Sequence, residues 1–123
     1  MIKTRMFFEP RTRKRWRLLL AAGIATVAWF AFKPNDTADG IEHLDKVQHV
    51  MAFISLAFAA SFGWAHKARN SLFIAAGLMA YGLFIELVQT QLPTRSGEVA
   101  DWLADAVGVA LGLLLARELR RRT

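Results

Sequence analysis

The residues with the capacity for chemistry fall in three short segments: Asp45, Lys46 and His49; Glu86 and Gln89; and Asp101 and Asp105, with Arg95 between the last two segments. On a helix, i, i+4 spacing sets Asp45 beside His49 and Asp101 beside Asp105, and i, i+3 spacing sets Glu86 beside Gln89. An imidazole among carboxylates suits proton transfer, with His49 and Glu86 as the candidate catalytic acid or base. Arg95 adds a guanidinium able to pair with a carboxylate or phosphate through two parallel hydrogen bonds, or to stabilise developing negative charge. Ser55 lies six residues past His49 and off its face, which argues against a Ser-His nucleophile. The chain has no cysteine, so thiolate chemistry and disulfides are excluded. The spacing matches no metal-ligand signature, and neither a metal nor a cofactor is expected. His43 and His66 fall in connecting segments and read as incidental. The bland alternative for the whole set is a charge network that only fixes helix packing.

The elements that must position these groups are apolar. Hydrophobic residues make up 54% of the 123-residue chain, and every Lys and Arg falls outside four stretches, Leu18 to Phe32, Val47 to Ala65, Leu72 to Val88 and Trp102 to Ala116. A spanning helix needs about 20 predominantly apolar residues. The first and last stretches are short, but their flanks extend them and long basic side chains can snorkel. None has the polar face that a water-facing helix requires. The expected fold is therefore all-α, an integral membrane bundle of four transmembrane helices with spans at about 16–33, 46–65, 71–89 and 101–117. A basic segment, 1–17, precedes the membrane domain at 18–116, and a basic tail, 117–123, follows it. No small-x-small site follows the first apolar run, so an uncleaved first span is expected rather than a signal peptide.

Charge then orients the bundle. Lys3, Arg5, Arg11, Arg13, Lys14, Arg15, Arg17, Lys67, Arg69, Arg117, Arg120, Arg121 and Arg122 fall on one side, against Lys33, Lys46 and Arg95 on the other. The positive side stays inside, which places both termini in the cytoplasm and the protein in the cytoplasmic (inner) membrane. Trp16 and Trp64 then lie at the inner interface and Trp29 and Trp102 at the outer one. The net charge of +6 is explained by these loops, and no nucleic-acid partner is expected. In this layout the three polar faces meet at the outer leaflet. Gly108 and Gly112 share a face with Asp101 and Asp105, a small-xxx-small pattern that lets a neighbouring helix approach closely and turns that face inward.

Four pieces of the chain resemble, in order, the VanZ-like family of small multi-pass bacterial membrane proteins. Asp45-Lys46-Val47-Gln48-His49-Val50-Met51-Ala52-Phe53 is similar to its D-K-x-x-H-x-x-x-[FY] opening. Ile85-Glu86-Leu87-Val88-Gln89 is similar to I-E-x-x-Q, and Pro93-Thr94-Arg95 to P-x-R. Asp101 to Gly108 resembles D-x-x-x-N-x-x-G, except that Asp105 stands where Asn is usual. The resemblance covers about residues 45–113 and implies a cell-envelope protein, in a family named for a component associated with teicoplanin resistance. It brings no established reaction with it, so function has to come from the site.

The expected function is an outward-facing polar pocket formed by Asp45, Lys46, His49, Glu86, Gln89, Arg95, Asp101 and Asp105. It would bind membrane lipid or an anionic or lipid-linked envelope component, and so influence glycopeptide susceptibility. The alternatives are an intramembrane acid/base enzyme acting on a lipid-linked substrate, or a scaffold whose polar cluster is purely structural. Transport would require polar groups along the full depth of the bundle, where the sequence offers little beyond Ser55 and Ser61.

Overall fold

The computed structural model describes residues 10–32, 44–91 and 99–122. Among these it is all-helical. After a single 3-10 turn at Pro10–Thr12 come α1 (Arg13–Phe32), α2 (Leu44–Gly63), α3 (Ala68–Gln89) and α4 (Val99–Arg121). No proline lies inside any of the four, and Leu, Ala, Phe and Ile dominate their interiors, so nothing interrupts the i to i−4 ladder. The helices run 20, 20, 22 and 23 residues. At about 1.5 Å per residue they match a hydrocarbon core of about 30 Å, and each is long and apolar enough to cross a membrane. The two short apolar stretches are completed by their flanks: Arg13 to Arg17 belong to α1, and α4 continues through Arg117 to Arg121.

Most of the apolar surface points outward. Leu72, Phe73, Leu87, Leu103, Leu114 and Trp29 are all more than half exposed, an arrangement stable against lipid and costly against water. The interior is a narrow cluster of Phe53, Leu56, Ala57, Leu78, Ile85 and Val109.

The central pair is α2 and α4, which run parallel. Gly108 faces the Val50 carbonyl and Phe53, and Gly112 faces the Ile54 carbonyl and Ala57, so both helices advance together. A Cβ on Gly108 would lie 2.6 Å from the Val50 oxygen, and one on Gly112 2.5 Å from the Ile54 oxygen. The inward face expected for Gly108 and Gly112 is thus the closest helix contact in the bundle, made possible by the missing side chains. Helix α1 is peripheral, with no buried residue. It is fastened by hydrogen bonds from Tyr81 Oη to the Ile24 carbonyl at 2.6 Å and from Gln89 Nε2 to the Ala31 carbonyl at 3.1 Å.

The start of α1, the α2–α3 connection and the end of α4 share one end of the bundle. There Arg17 Nε donates to the Gly63 carbonyl at 2.7 Å, and Arg120 donates to the Ser61 carbonyl. Two cations therefore satisfy the last carbonyls of α2 at the negative end of its dipole. Arg17 also lies over Trp64 and Arg120 over Phe62. His66, which reads from sequence as incidental, has a partner here: Arg120 Nη1 is 2.6 Å from His66 Nδ1.

Candidate functional site

At the opposite end, α2, α3 and α4 bring Lys46, His49, Glu86, Asp101 and Asp105 together. Each is placed by helical periodicity. His49 precedes the core residue Phe53 by one turn, Glu86 follows the buried Gly82 and Ile85, and Asp101 and Asp105 continue the buried stripe of Gly108 and Gly112. Gln89 is buried on the same face of α3 as Glu86, but its amide nitrogen reaches α1 at Ala31. Its Oε1 is buried with no hydrogen-bond partner among the described residues. Arg95 and the side chain of Asp45 lie outside the described residues.

His49 is the centre of the arrangement. Its Nδ1 is 2.6 Å from Asp105 Oδ1, while Nε2 is 3.7 Å from Glu86 Oε1 and 3.9 Å from Asp101 Oδ2. With Asp105 ionised, Nδ1 is the donor in this contact, because an ionised carboxylate only accepts. Lys46 Nζ stands 3.5 Å from Asp101 Oδ1 and is a third exposed, at the rim, while the Asp101 and Asp105 carboxylates are sealed. Among the described residues, three carboxylates meet one ammonium and one imidazole that can compensate them. Carboxylates gathered away from water require such compensation, which protons or cations supply.

Gly82 has a specific task here. A Cβ at this position would come 2.6 Å from Asp105 Oδ2 and 3.4 Å from Phe53 Cζ. The glycine therefore gives the Asp105 carboxylate its place beneath His49, a role that the sequence did not reveal. Trp102, expected at the interface, turns its indole N–H onto the Met79 carbonyl at 2.9 Å and ties α4 to α3. Below the cluster, Phe53, Ile85 and Val109 form an apolar floor.

No metal site was expected from spacing, yet folding brings donors from three helices together. One ligand atom each from His49, Glu86 and Asp105 lie within 4.8 Å of one another. Imidazole and carboxylate suit borderline divalent cations. Donors about 2.0 to 2.2 Å from such an ion would have to draw closer than they stand, and Asp105 already holds the imidazole by hydrogen bond.

Comparison with known proteins gives one result. The family model described as VanZ/LLP1 matches residues 4–120, nearly the whole chain. No curated protein and no solved structure matches it.

Proposed function

The chain belongs to the VanZ/LLP1 family, and from its site we propose a multi-pass protein of the bacterial cytoplasmic membrane whose acidic end faces outward and receives the polar headgroup of an anionic or lipid-linked envelope component. The orientation follows from charge: the Lys- and Arg-rich end stays in the cytoplasm with both termini. The observation that carries the reading is the His49–Asp105 contact at 2.6 Å with Glu86 beside the far ring nitrogen. A network needed only for packing would be served by a neutral hydrogen-bonded pair, whereas three carboxylates around one imidazole keep a titratable group at the membrane surface.

In this reading Lys46 and Arg95 hold the anionic part of the headgroup at the rim, and His49, oriented by Asp105, gives or takes a proton at Nε2 with Glu86 as its relay. The carboxylates around the His49 ring favour acid/base catalysis on a lipid-linked substrate as the more specific form of the proposal. Translocation is disfavoured, because the interior layer of Leu56, Ala57, Leu78 and Val109 that follows the cluster is apolar.

The test is native mass spectrometry of protein extracted gently from bacterial membranes, together with teicoplanin susceptibility of the same cells. Wild type retains an envelope lipid that His49→Gln and Arg95→Ala lose, and Glu86→Gln retains it without turnover. Unchanged lipid retention and unchanged susceptibility in folded His49→Gln and Arg95→Ala proteins would sink the proposal.

A further inference from the structure

Two cavities lie at the basic end, far from His49. The first, about 190 Å³, is lined by His66, Asn70, Ser71, Arg117 and Arg120 among others. The second, about 470 Å³, is a groove between α1 and α3 walled by Leu20, Ile24, Phe73 and Leu78, with Trp64 at its rim. Asn70 and Ile74 line both, so the polar cavity and the apolar groove adjoin. The groove has no filler of its own at Gly77, where a Cβ would meet nothing within 4 Å.

We propose that this pair of cavities is a binding site for one anionic phospholipid, its phosphate against Arg117 and Arg120 and an acyl chain in the groove between α1 and α3. Charge complementarity selects the occupant. The two guanidiniums come from one face of α4, and the hydrogen bond and ion pair of Glu118 run to Arg122 and Arg121 on the exposed side. The first turn of α3, to which Asn70 belongs, has no acidic residue and no side-chain cap. A guanidinium pair, amide and hydroxyl donors suit a phosphodiester, while the groove's Leu, Ile and Phe walls suit hydrocarbon. Zwitterionic lipid brings an ammonium into the same basic surroundings and is disfavoured. The inference is independent of the acid/base reading, since the two sites share no residue.

His66 supplies an internal reporter. It lies in the α2–α3 connection, and burial, then Arg120 and Arg117, lower its pKa below the ordinary 6.5. A phosphate between those arginines offsets their charge and raises it again.

The experiment uses the full chain in phosphatidylcholine nanodiscs containing a small fraction of phosphatidylglycerol. Native mass spectrometry reads the lipid that stays bound, and NMR follows the His66 ring. One phosphatidylglycerol per chain should be retained in preference to phosphatidylcholine, with an upward shift of the His66 midpoint. Arg117→Gln, at an exposed position that leaves the α2 cap intact, should weaken retention about fivefold, as loss of about 1 kcal/mol per basic residue implies. Gly77→Leu fills the groove without changing charge and should also reduce it. Equal retention of the two lipids, or full phosphatidylglycerol retention in folded Gly77→Leu, would overturn the proposal. The latter result would mean that diffuse attraction to the basic end suffices.

Discussion

Replacing His49 with alanine removes the group that, among the described residues, Asp101, Asp105 and Glu86 all approach, at 3.9, 2.6 and 3.7 Å respectively. Asp105 has no exposed side-chain surface, so its carboxylate depends on buried partners. Removing one partner of a buried charged network costs about 3 to 5 kcal/mol, and that range is expected for His49→Ala. Asp105→Asn behaves differently. Its amide oxygen still accepts from Nδ1–H, so the change exchanges a charge-assisted bond of about 1.5 to 3 kcal/mol for a neutral one of about 0.5 to 1.5. It also removes one of three crowded carboxylates, which returns part of the loss, so a net cost near 1 kcal/mol is expected, well below that of His49→Ala. Because the asparagine keeps a neutral bond, the double-mutant cycle reads the difference between the two bonds, a coupling of about 1 to 1.5 kcal/mol. The assay is reversible unfolding in mixed detergent and dodecyl sulfate micelles, followed by helical circular dichroism, for wild type, both single variants and the double. A coupling below about 0.5 kcal/mol, or equal costs for the two single changes, would refute the claim that Asp105 holds His49.

Three further outcomes follow from contacts elsewhere. Gly112→Ala should destabilise by about 1 to 3 kcal/mol, because its Cβ meets the Ile54 oxygen at 2.5 Å, whereas Gly77→Ala, with open space around it, should stabilise by about 0.5 to 1 kcal/mol; equal effects in the same unfolding assay would dismiss the α2–α4 seam. Gly82→Ala should push the Asp105 carboxylate from beneath His49 and reproduce the loss of lipid retention of His49→Gln, and a variant that retains lipid normally would remove Gly82 from the site. His66 should titrate below 6.5 in lipid that lacks anionic headgroups, since burial, Arg120 and Arg117 disfavour its charged form; its neutral state then contributes stability above the unfolded value that is lost as pH falls through the lower folded one, and an NMR midpoint at or above 6.5 would contradict the Arg120–His66 contact.

The four helices and the face that gathers Glu86, Asp101 and Asp105 were legible because both rest on local information. Apolar length sets a span, and spacing of three and four sets a face. The meeting of three faces was legible for the same reason, once charge had fixed which helix ends lie together. What the sequence withheld depends on distance between chain-remote atoms. Spacing leaves unassigned which carboxylate of another helix His49 meets, and the contact with Asp105 comes from the offset between α2 and α4. Gly82 resembles any helix glycine until Asp105 is found against it. Arg17 and Arg120 read only as charges on the cytoplasmic side, yet they turn back to cap α2, because helix ends leave their last carbonyls without helical partners. His66 was passed over because its partner lies 54 residues away.

The two polar ends also explain why a bundle so apolar adopts a single register. Packing in lipid has no hydrophobic driving force between helices, and small-residue seams tolerate more than one alignment. Along α2 and α4 the polar pairs stand in one sequence: Lys46 with Asp101, His49 with Asp105, then Gly108 and Gly112 on the backbone of Val50 and Ile54, and finally Ser61 with Arg120. A slip of one helical turn, about 5.4 Å, would set the Asp105 carboxylate against Phe53 or carry it past His49, and would detach Arg120 from its carbonyl. Both ends thus oppose the same displacement. The acidic cluster is therefore structural in its placement, and the proposed proton chemistry separates from that role by charge. Asp105→Asn keeps the hydrogen bond that sets the register and removes the charge that tunes the proton, so a folded protein with altered lipid chemistry is the outcome that assigns the cluster to function.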